Sequence, residues 1–172
     1  MTCTLVVAVS KDRKILGYRN ADGKTGIPWG MIPADNAWFR GICLNANLVI
    51  GRTTFDEVGK FAQRWTTQNV YVCTSRKLPD WAHNNVISTQ EPDWVITNHT
   101  VIIGGLSIYK KLLCHVTHVA LTEVAENLVD AVSGDYTSDH EFIQSLYDQF
   151  ELKRVLTWTR DDECMVLFGG RR

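Results

Sequence analysis

The stretch Val101-Ile102-Ile103-Gly104-Gly105-Leu106-Ser107-Ile108-Tyr109 decides how this chain folds. Its β-branched start reads as a buried strand, two glycines break it, and a helical pattern begins at Leu106. Paired glycines let backbone approach a ligand closely, and a pyrophosphate suits such a turn. A tight turn with no ligand is the other reading, and the spacing is not the G-x-G-x-x-G fingerprint. The same order recurs at Val49-Ile50-Gly51-Arg52-Thr53-Thr54-Phe55, where a strand ends at Gly51 and a helix starts at Thr53 or Thr54. Helix-start N–H groups, hydroxyls and Arg52 make a phosphate site, although a plain Thr N-cap explains the same residues. Two such turns together favour a dinucleotide more than either does alone.

Working outward, strands are predicted near 3–9, 47–51, 69–74, 100–103, 116–122, 150–159 and 163–169. Helices are predicted near 34–44, 53–58, 105–113 and 139–147. Strands alternating with helices imply a mostly parallel sheet in an α/β domain. Only Arg160-Asp161-Asp162 separates the last two strand runs, so they read as an antiparallel hairpin. At 172 residues the chain is expected to form one domain, 1–172. The stretch Gly17–Pro28 reads as a long polar loop, either an ordinary surface excursion or a lid over a site, with its position favouring the lid. Val124 to Asp139 reads as a solvated connection.

The net charge of −1 and the absence of a basic block exclude the electrostatic footprint of a nucleic-acid binder. No apolar run approaches the ~18 residues of a membrane helix, and the first strand lacks the positive residues that open a signal peptide. Five scattered cysteines without a C-x-x-C pair favour reduced thiols in a cytoplasmic protein over disulfides or zinc. His115 and His118 lack a third ligand at zinc spacing, so no metal is expected.

Ile27-Pro28-Trp29-Gly30-Met31-Ile32-Pro33-Ala34-Asp35-Asn36-Ala37-Trp38-Phe39-Arg40 sets one carboxylate in an apolar, aromatic run. Pro33 places Asp35 in a first helical turn, sharing a face with Trp38 and Phe39. A first-turn Asp also complements the helix dipole, but such an Asp is usually solvated, and the aromatic neighbours favour a site. In Val70-Tyr71-Val72-Cys73-Thr74-Ser75-Arg76-Lys77 a strand runs into two hydroxyls and two cations. That end suits a cofactor phosphate, such as the 2′-phosphate that marks NADP, or is simply a solvated basic strand end.

Taken in order, these segments resemble dihydrofolate reductases. The motifs are Pro28-Trp29, Pro33 to Arg40, Gly51 to Phe55, Asn69 to Ser75, Ile103 to Tyr109 and Leu121-Thr122, and they span nearly the whole chain. The resemblance implies a single-domain fold with a central, mostly parallel twisted sheet, flanking helices and an antiparallel C-terminal hairpin. It implies an enzyme that reduces 7,8-dihydrofolate to tetrahydrofolate with NADPH. Asp35 then anchors the pterin and assists its protonation, Trp29 holds a water near that carboxylate, and Thr122 bonds Asp35. Val6, Val7, Ile27, Asn36, Phe39, Val58, Ile103 and Tyr109 line the substrate side. Ala8, Leu16, Gly104, Gly105, Leu106, Ser107, Ile108 and Tyr109 flank the nicotinamide and pyrophosphate. Gly51, Arg52, Thr53, Thr54, Thr74, Ser75 and Arg76 hold the adenosine phosphates. The implied partners are the small-molecule substrate and antifolate inhibitors, with no nucleic acid or membrane, in a cytoplasmic monomer.

The chain departs from the family pattern in several places. Between Trp29 and Pro33 it has one residue more than many bacterial members, and the 17–28 stretch is longer than their compact form. Asn36 stands where the family has an apolar residue. The L-x-G-R-x-N motif is missing: Thr67 occupies the place of the Arg that grips the folate glutamate, leaving Arg64, or Arg40 or Lys60, to replace it. This lengthened, divergent pattern resembles phage-encoded reductases. The missing Arg also suggests a reductase of another pterin or of a pyrimidine amine, which the Pro33–Phe39 segment argues against. A non-catalytic cofactor-binding or structural protein is the third reading, opposed by Asp35, Trp29 and Thr122.

Overall fold

In a computed structural model, residues 1–155, 160 and 162–172 are described. The chain divides into two compact units, Met1–Val6 with Trp38–His118 and Val7–Ala37 with Val119–Arg172. Strand β1 (Thr2–Ser10) contributes to both.

The first unit is an all-parallel arrangement. Its strands lie in the order β1, β7 (His99–Gly104), β4 (Asn47–Gly51), β5 (Val70–Cys73) and β6 (Val86–Thr89). Thr2 to Leu5 pair with His99 to Ile102, and Leu48 to Gly51 with Val70 to Cys73. Asn47-Leu48-Val49-Ile50-Gly51 shows no polar alternation because β4 is bonded on both sides and buried from Leu48 onward. Helix α2 (Arg52–Ala62) buries Phe55 and Ala62, and Phe55 joins Leu48, Ile50, Val70, Val72 and Val101 in the core. Phe55 stacks on Trp81 with ring centroids 5.1 Å apart. The last turns of α1 (Pro33–Cys43) and the short helix α3 (Leu106–Leu112) complete this unit.

In the second unit the strands lie in the order β10 (Lys153–Arg154), β11 (Cys164–Gly170), β8 (His118–Val124) and β1. β10 and β11 are antiparallel, as the C-terminal residues suggest. Helix α4 (His140–Gln149) buries Phe142, Ile143 and Leu146. It starts where Asp139 accepts the Phe142 N–H at 2.9 Å, a side-chain N-cap.

The α/β class, the parallel sheet and the four helices agree with the sequence reading. Several details differ, among them β6, which was not predicted. The 17–28 stretch is not a continuous loop: β2 (Ile15–Arg19) pairs antiparallel with β3 (Thr25–Gly26) and with β9 (Asp135–Ser138), forming a second, three-stranded sheet. β9 also replaces part of the connection expected over 124–139. β8 (His118–Val124) starts two residues later than predicted, because Val116 still closes the preceding 3-10 turn through its N–H bond to the Leu113 carbonyl. Residues 156–159 and 161, where the end of the 150–159 strand and part of its turn were predicted, lie outside the described residues.

All five cysteines carry free thiols. Among the described residues no helix is long and apolar enough to cross a membrane, and no group of three or more His, Cys, Asp or Glu is disposed to hold a metal ion.

Candidate active site

In the second unit, Pro33 opens α1 and brings Asp35 into the first turn, as the sequence indicates. The Thr122 hydroxyl, on buried β8, donates to Asp35 Oδ1 at 2.7 Å. These residues lie 87 positions apart in the chain, so only the fold brings them together. Burial pushes the Asp35 carboxyl above the usual carboxylate range, and the Thr122 hydrogen bond offsets part of that rise. The result is a half-buried acid whose neutral form is favoured relative to an acid in water.

Trp29 is half-buried in the same unit. The preceding Pro28 carbonyl accepts the Asp130 N–H at 2.6 Å, and the Asp130 carbonyl accepts the Tyr136 hydroxyl at 2.7 Å. Residues after β8 therefore hold the Pro28-Trp29 approach to α1. Asn36 donates its N–H to the Ile32 carbonyl at 2.9 Å and is half-buried, while Ile27 is exposed. Val7 is buried, and Ala8 and Leu16 are half-buried.

The first unit holds the glycine turns. β4 and β7 are parallel neighbours, so their C-terminal turns adjoin. Helix α2 starts at Gly51 and α3 at Gly105, neither with a side-chain cap. A Cβ added to Gly51 would meet Ile108 Cγ1 at 3.1 Å and the Gly105 nitrogen at 3.2 Å. Gly104 holds φ +135°, open to glycine and rarely adopted by L side chains. A Cβ there would lie 2.9 Å from Tyr109 Oη. The buried Tyr109 hydroxyl shares its one proton between the Val6 carbonyl, at 2.6 Å, and the nearer Ile103 carbonyl. Thr54 Oγ1 lies 3.3 Å from where a Gly105 Cβ would be.

The phosphate candidates divide by role. Arg52 gives its Nε to Asp56 Oδ1 at 2.8 Å and its Nη1 to the Lys77 carbonyl at 3.0 Å, with its side chain 14% exposed. Arg76 is far more open, its Nη2 3.8 Å from Asp56 Oδ2. Thr53, Ser75 and Ser107 are exposed, and Thr74 Oγ1 accepts the Arg76 N–H at 3.1 Å. The sequence reading missed the Arg52–Asp56 pair, for which the i, i+4 spacing was the available signal.

Phe39 meets Trp65 edge to face at 4.9 Å, and Val6, Val58 and Ile103 pack against the same core cluster. Trp65 lies outside every motif and gave no sequence signal. The Thr67 hydroxyl shares its one proton between the Leu44 carbonyl and the Asn45 side-chain oxygen, each at 3.3 Å, so this position has a structural task. Arg64 and Arg40 are exposed, and Lys60 lies over the Trp81 ring at 5.7 Å.

The family model for dihydrofolate reductase matches residues 2–155. A dihydrofolate reductase of Buchnera aphidicola subsp. Acyrthosiphon pisum is 30% identical over 144 residues, covering 79% of this chain and 81% of that protein. The Haemophilus influenzae dihydrofolate reductase is 27% identical over 133 residues, covering 74% and 75%. Among solved structures, dihydrofolate reductase from Enterococcus faecalis complexed with NADP(H) and RAB-propyl matches with a TM-score of 0.69. At 19% identity, over 99% of this chain and 96% of that one, it attests the fold. The family match over nearly the whole chain, carried by the strands and turns described above, makes this protein a member of the dihydrofolate reductase family.

Proposed function

We propose that this protein reduces 7,8-dihydrofolate to 5,6,7,8-tetrahydrofolate with NADPH. The observation that carries this reading is the Thr122–Asp35 pair: a half-buried carboxyl held by one hydroxyl, with its proton affinity raised. A carboxylate anchors a pterin by accepting from its 2-amino group and ring nitrogen. Its raised proton affinity suits it to assist protonation of the substrate nitrogen, because a general acid works best when its pKa approaches the operating pH. Trp29, beside the start of α1, would order the water that completes this path.

NADPH supplies the hydride when bound. Residues of the first unit fit its phosphates. The uncapped start of α2 offers backbone N–H groups to a phosphate. Gly104 leaves no room for a Cβ, Gly51 and Gly105 leave little, and all three turns present bare backbone. Thr53, Thr54, Thr74 and Ser75 would contribute hydroxyls to the phosphates, and Arg76 would contribute charge. Ala8, Leu16 and Leu106 to Tyr109 would flank the nicotinamide. Tyr109 would act by position, since both its hydroxyl bonds go to main chain. Val6, Val7, Ile27, Asn36, Phe39, Val58 and Ile103 would form the substrate walls, with Arg64 as the tail cation. The same reading makes the protein a cytoplasmic monomer with one functional domain.

The test is NADPH oxidation with dihydrofolate, comparing wild type and Asp35→Asn. Turnover by the wild type and a loss of at least about tenfold in the variant are expected. Folded wild-type protein without turnover refutes the reading. The bonds of Thr67 to Leu44 and Asn45 favour a second outcome in substrate range. A tail-less dihydropterin turned over as efficiently as dihydrofolate would identify the pterin ring alone as the recognised group.

A further inference from the structure

Thr122 reaches Asp35 from one face of β8. Glu123 points to the opposite face, because successive strand residues alternate. There the Tyr147 hydroxyl of α4 donates to Glu123 Oε1 in a short hydrogen bond. Lys14, in the turn between β1 and β2, brings Nζ to 3.9 Å from the same oxygen and 5.5 Å from the Tyr147 ring centroid. The Glu123 and Lys14 side chains are only 14% and 22% exposed. Lys14 holds φ +55°, a left-handed conformation uncommon for a residue with a side chain. Three elements thus converge on one carboxylate directly behind Thr122, and the proposed reaction uses none of their groups.

We propose that Tyr147 is a positioning residue for Asp35: by holding Glu123 from α4, it fixes the segment of β8 that aims the Thr122 hydroxyl. The inference rests on Asp35 being the reactive acid proposed above. The link is short and stiff. Thr122 and Glu123 flank one planar peptide, so a tilt of that peptide plane reorients both residues together. The Thr122 bond to Asp35, at 2.7 Å, weakens steeply as its angle opens. The turn that carries Lys14 is anchored separately, by Glu126 Oε1 accepting the Asp12 and Arg13 N–H groups at 2.7 Å each. Loss of the Tyr147 hydroxyl therefore leaves Lys14 in place and frees Glu123 to follow it. The groups facing Glu123 are Lys14 and Tyr147, and the group facing Asp35 is Thr122.

The test follows the Asp35 carboxyl through a ¹³C NMR pH titration of the full chain, which needs neither substrate nor cofactor and is independent of turnover. Tyr147→Phe removes the hydroxyl but keeps the ring and every charge. The Asp35 midpoint is expected to rise by roughly half a unit, about threefold in ionisation constant. Thr122→Val is expected to raise it further. The double variant should go no further than Thr122→Val, because Tyr147 acts through Thr122. A Tyr147→Phe midpoint coincident with wild type overturns the proposal, and so does a double variant whose shift is the sum of the two singles. Glu123→Gln covers the case in which Tyr147→Phe does not fold. It keeps an acceptor for the Tyr147 hydroxyl, so the Asp35 midpoint should stay at or below that of the wild type, and a rise overturns the proposal.

Discussion

Replacing Thr122 by valine removes one hydroxyl from the protein and keeps its shape. Thr122 is 6% exposed, so no water from bulk readily replaces the lost donor. Asp35 Oδ1 then keeps the burial that raises its proton affinity and loses the bond that opposed it. A hydrogen bond to a charged group contributes about 1.5–3 kcal/mol, and one between neutral groups about 0.5–1.5 kcal/mol. The cost of Thr122→Val should therefore depend on pH. Because the folded carboxyl holds its proton more tightly than the unfolded chain, the stability contributed by Asp35 is greatest below the ordinary carboxylate pKa. It falls as pH rises through the elevated folded value. Valine raises that folded value further and steepens the fall. Urea denaturation at pH 3, where the acid is neutral, should show a loss of about 0.5–1.5 kcal/mol. At pH 8, far above the ordinary carboxylate range, the loss should be larger and approach about 1.5–3 kcal/mol. Equal losses at both pH values would refute the account of Asp35 as an acid stabilised in its charged form by Thr122.

Burial pushes the Glu126 carboxyl upward, but bonds from the Arg13 N–H, the Ser10 hydroxyl, the Arg13 guanidinium and the Asp12 N–H outweigh it and hold the pKa at about 2. Its stabilisation is complete above the ordinary value of 4.5 and is lost as pH falls through about 2. Glu126→Gln should cost about 1–3 kcal/mol at pH 7, with the gap from wild type closing toward pH 2 in thermal melts. Gly104→Ala, with φ +135° and Tyr109 Oη 2.9 Å away, should cost about 1–3 kcal/mol in denaturant titrations. Arg76→Gln should weaken NADP⁺ binding by about tenfold in calorimetry while leaving the melting temperature unchanged. Arg52→Gln should lower the melting temperature, because it releases Asp56 and the Lys77 carbonyl.

The strand–glycine–helix turns were legible because glycine is informative wherever backbone must come close, and Gly51 and Gly104 do so here. Asp35 was legible as a first-turn acid because Pro33 marks the helix start. Its partner Thr122, 87 residues away, was reachable only through the family resemblance. β2 and β3 were missed because Gly17, Gly23 and Gly26 suggest a loop to any local reading. What makes them strands is the pairing of β2 with β9, more than 100 residues downstream, and of β3 with β2. β6 was missed because four residues with a buried–exposed–exposed–buried pattern carry no period of two. The helix predicted to start at Thr53 or Thr54 begins at Arg52, whose charge serves Asp56 more than an open site. Glu123 and Tyr147 gave no signal, since a charge facing inward from a strand shows itself only once its neighbours are folded around it.

The parallel register of β1 has a consequence for biosynthesis. The Thr2 hydroxyl bonds the Asn98 carbonyl 96 residues along the chain, and Thr2 to Leu5 find their β7 partners only beyond that point. At ribosomal rates of about 5–20 residues per second, the apolar Leu5-Val6-Val7-Ala8-Val9 segment emerges roughly 5–20 s before its neighbour exists. During that interval it is an unpaired hydrophobic strand on a nascent chain, the kind of segment that chaperones bind. Demand for such protection during synthesis is thus built into the strand order.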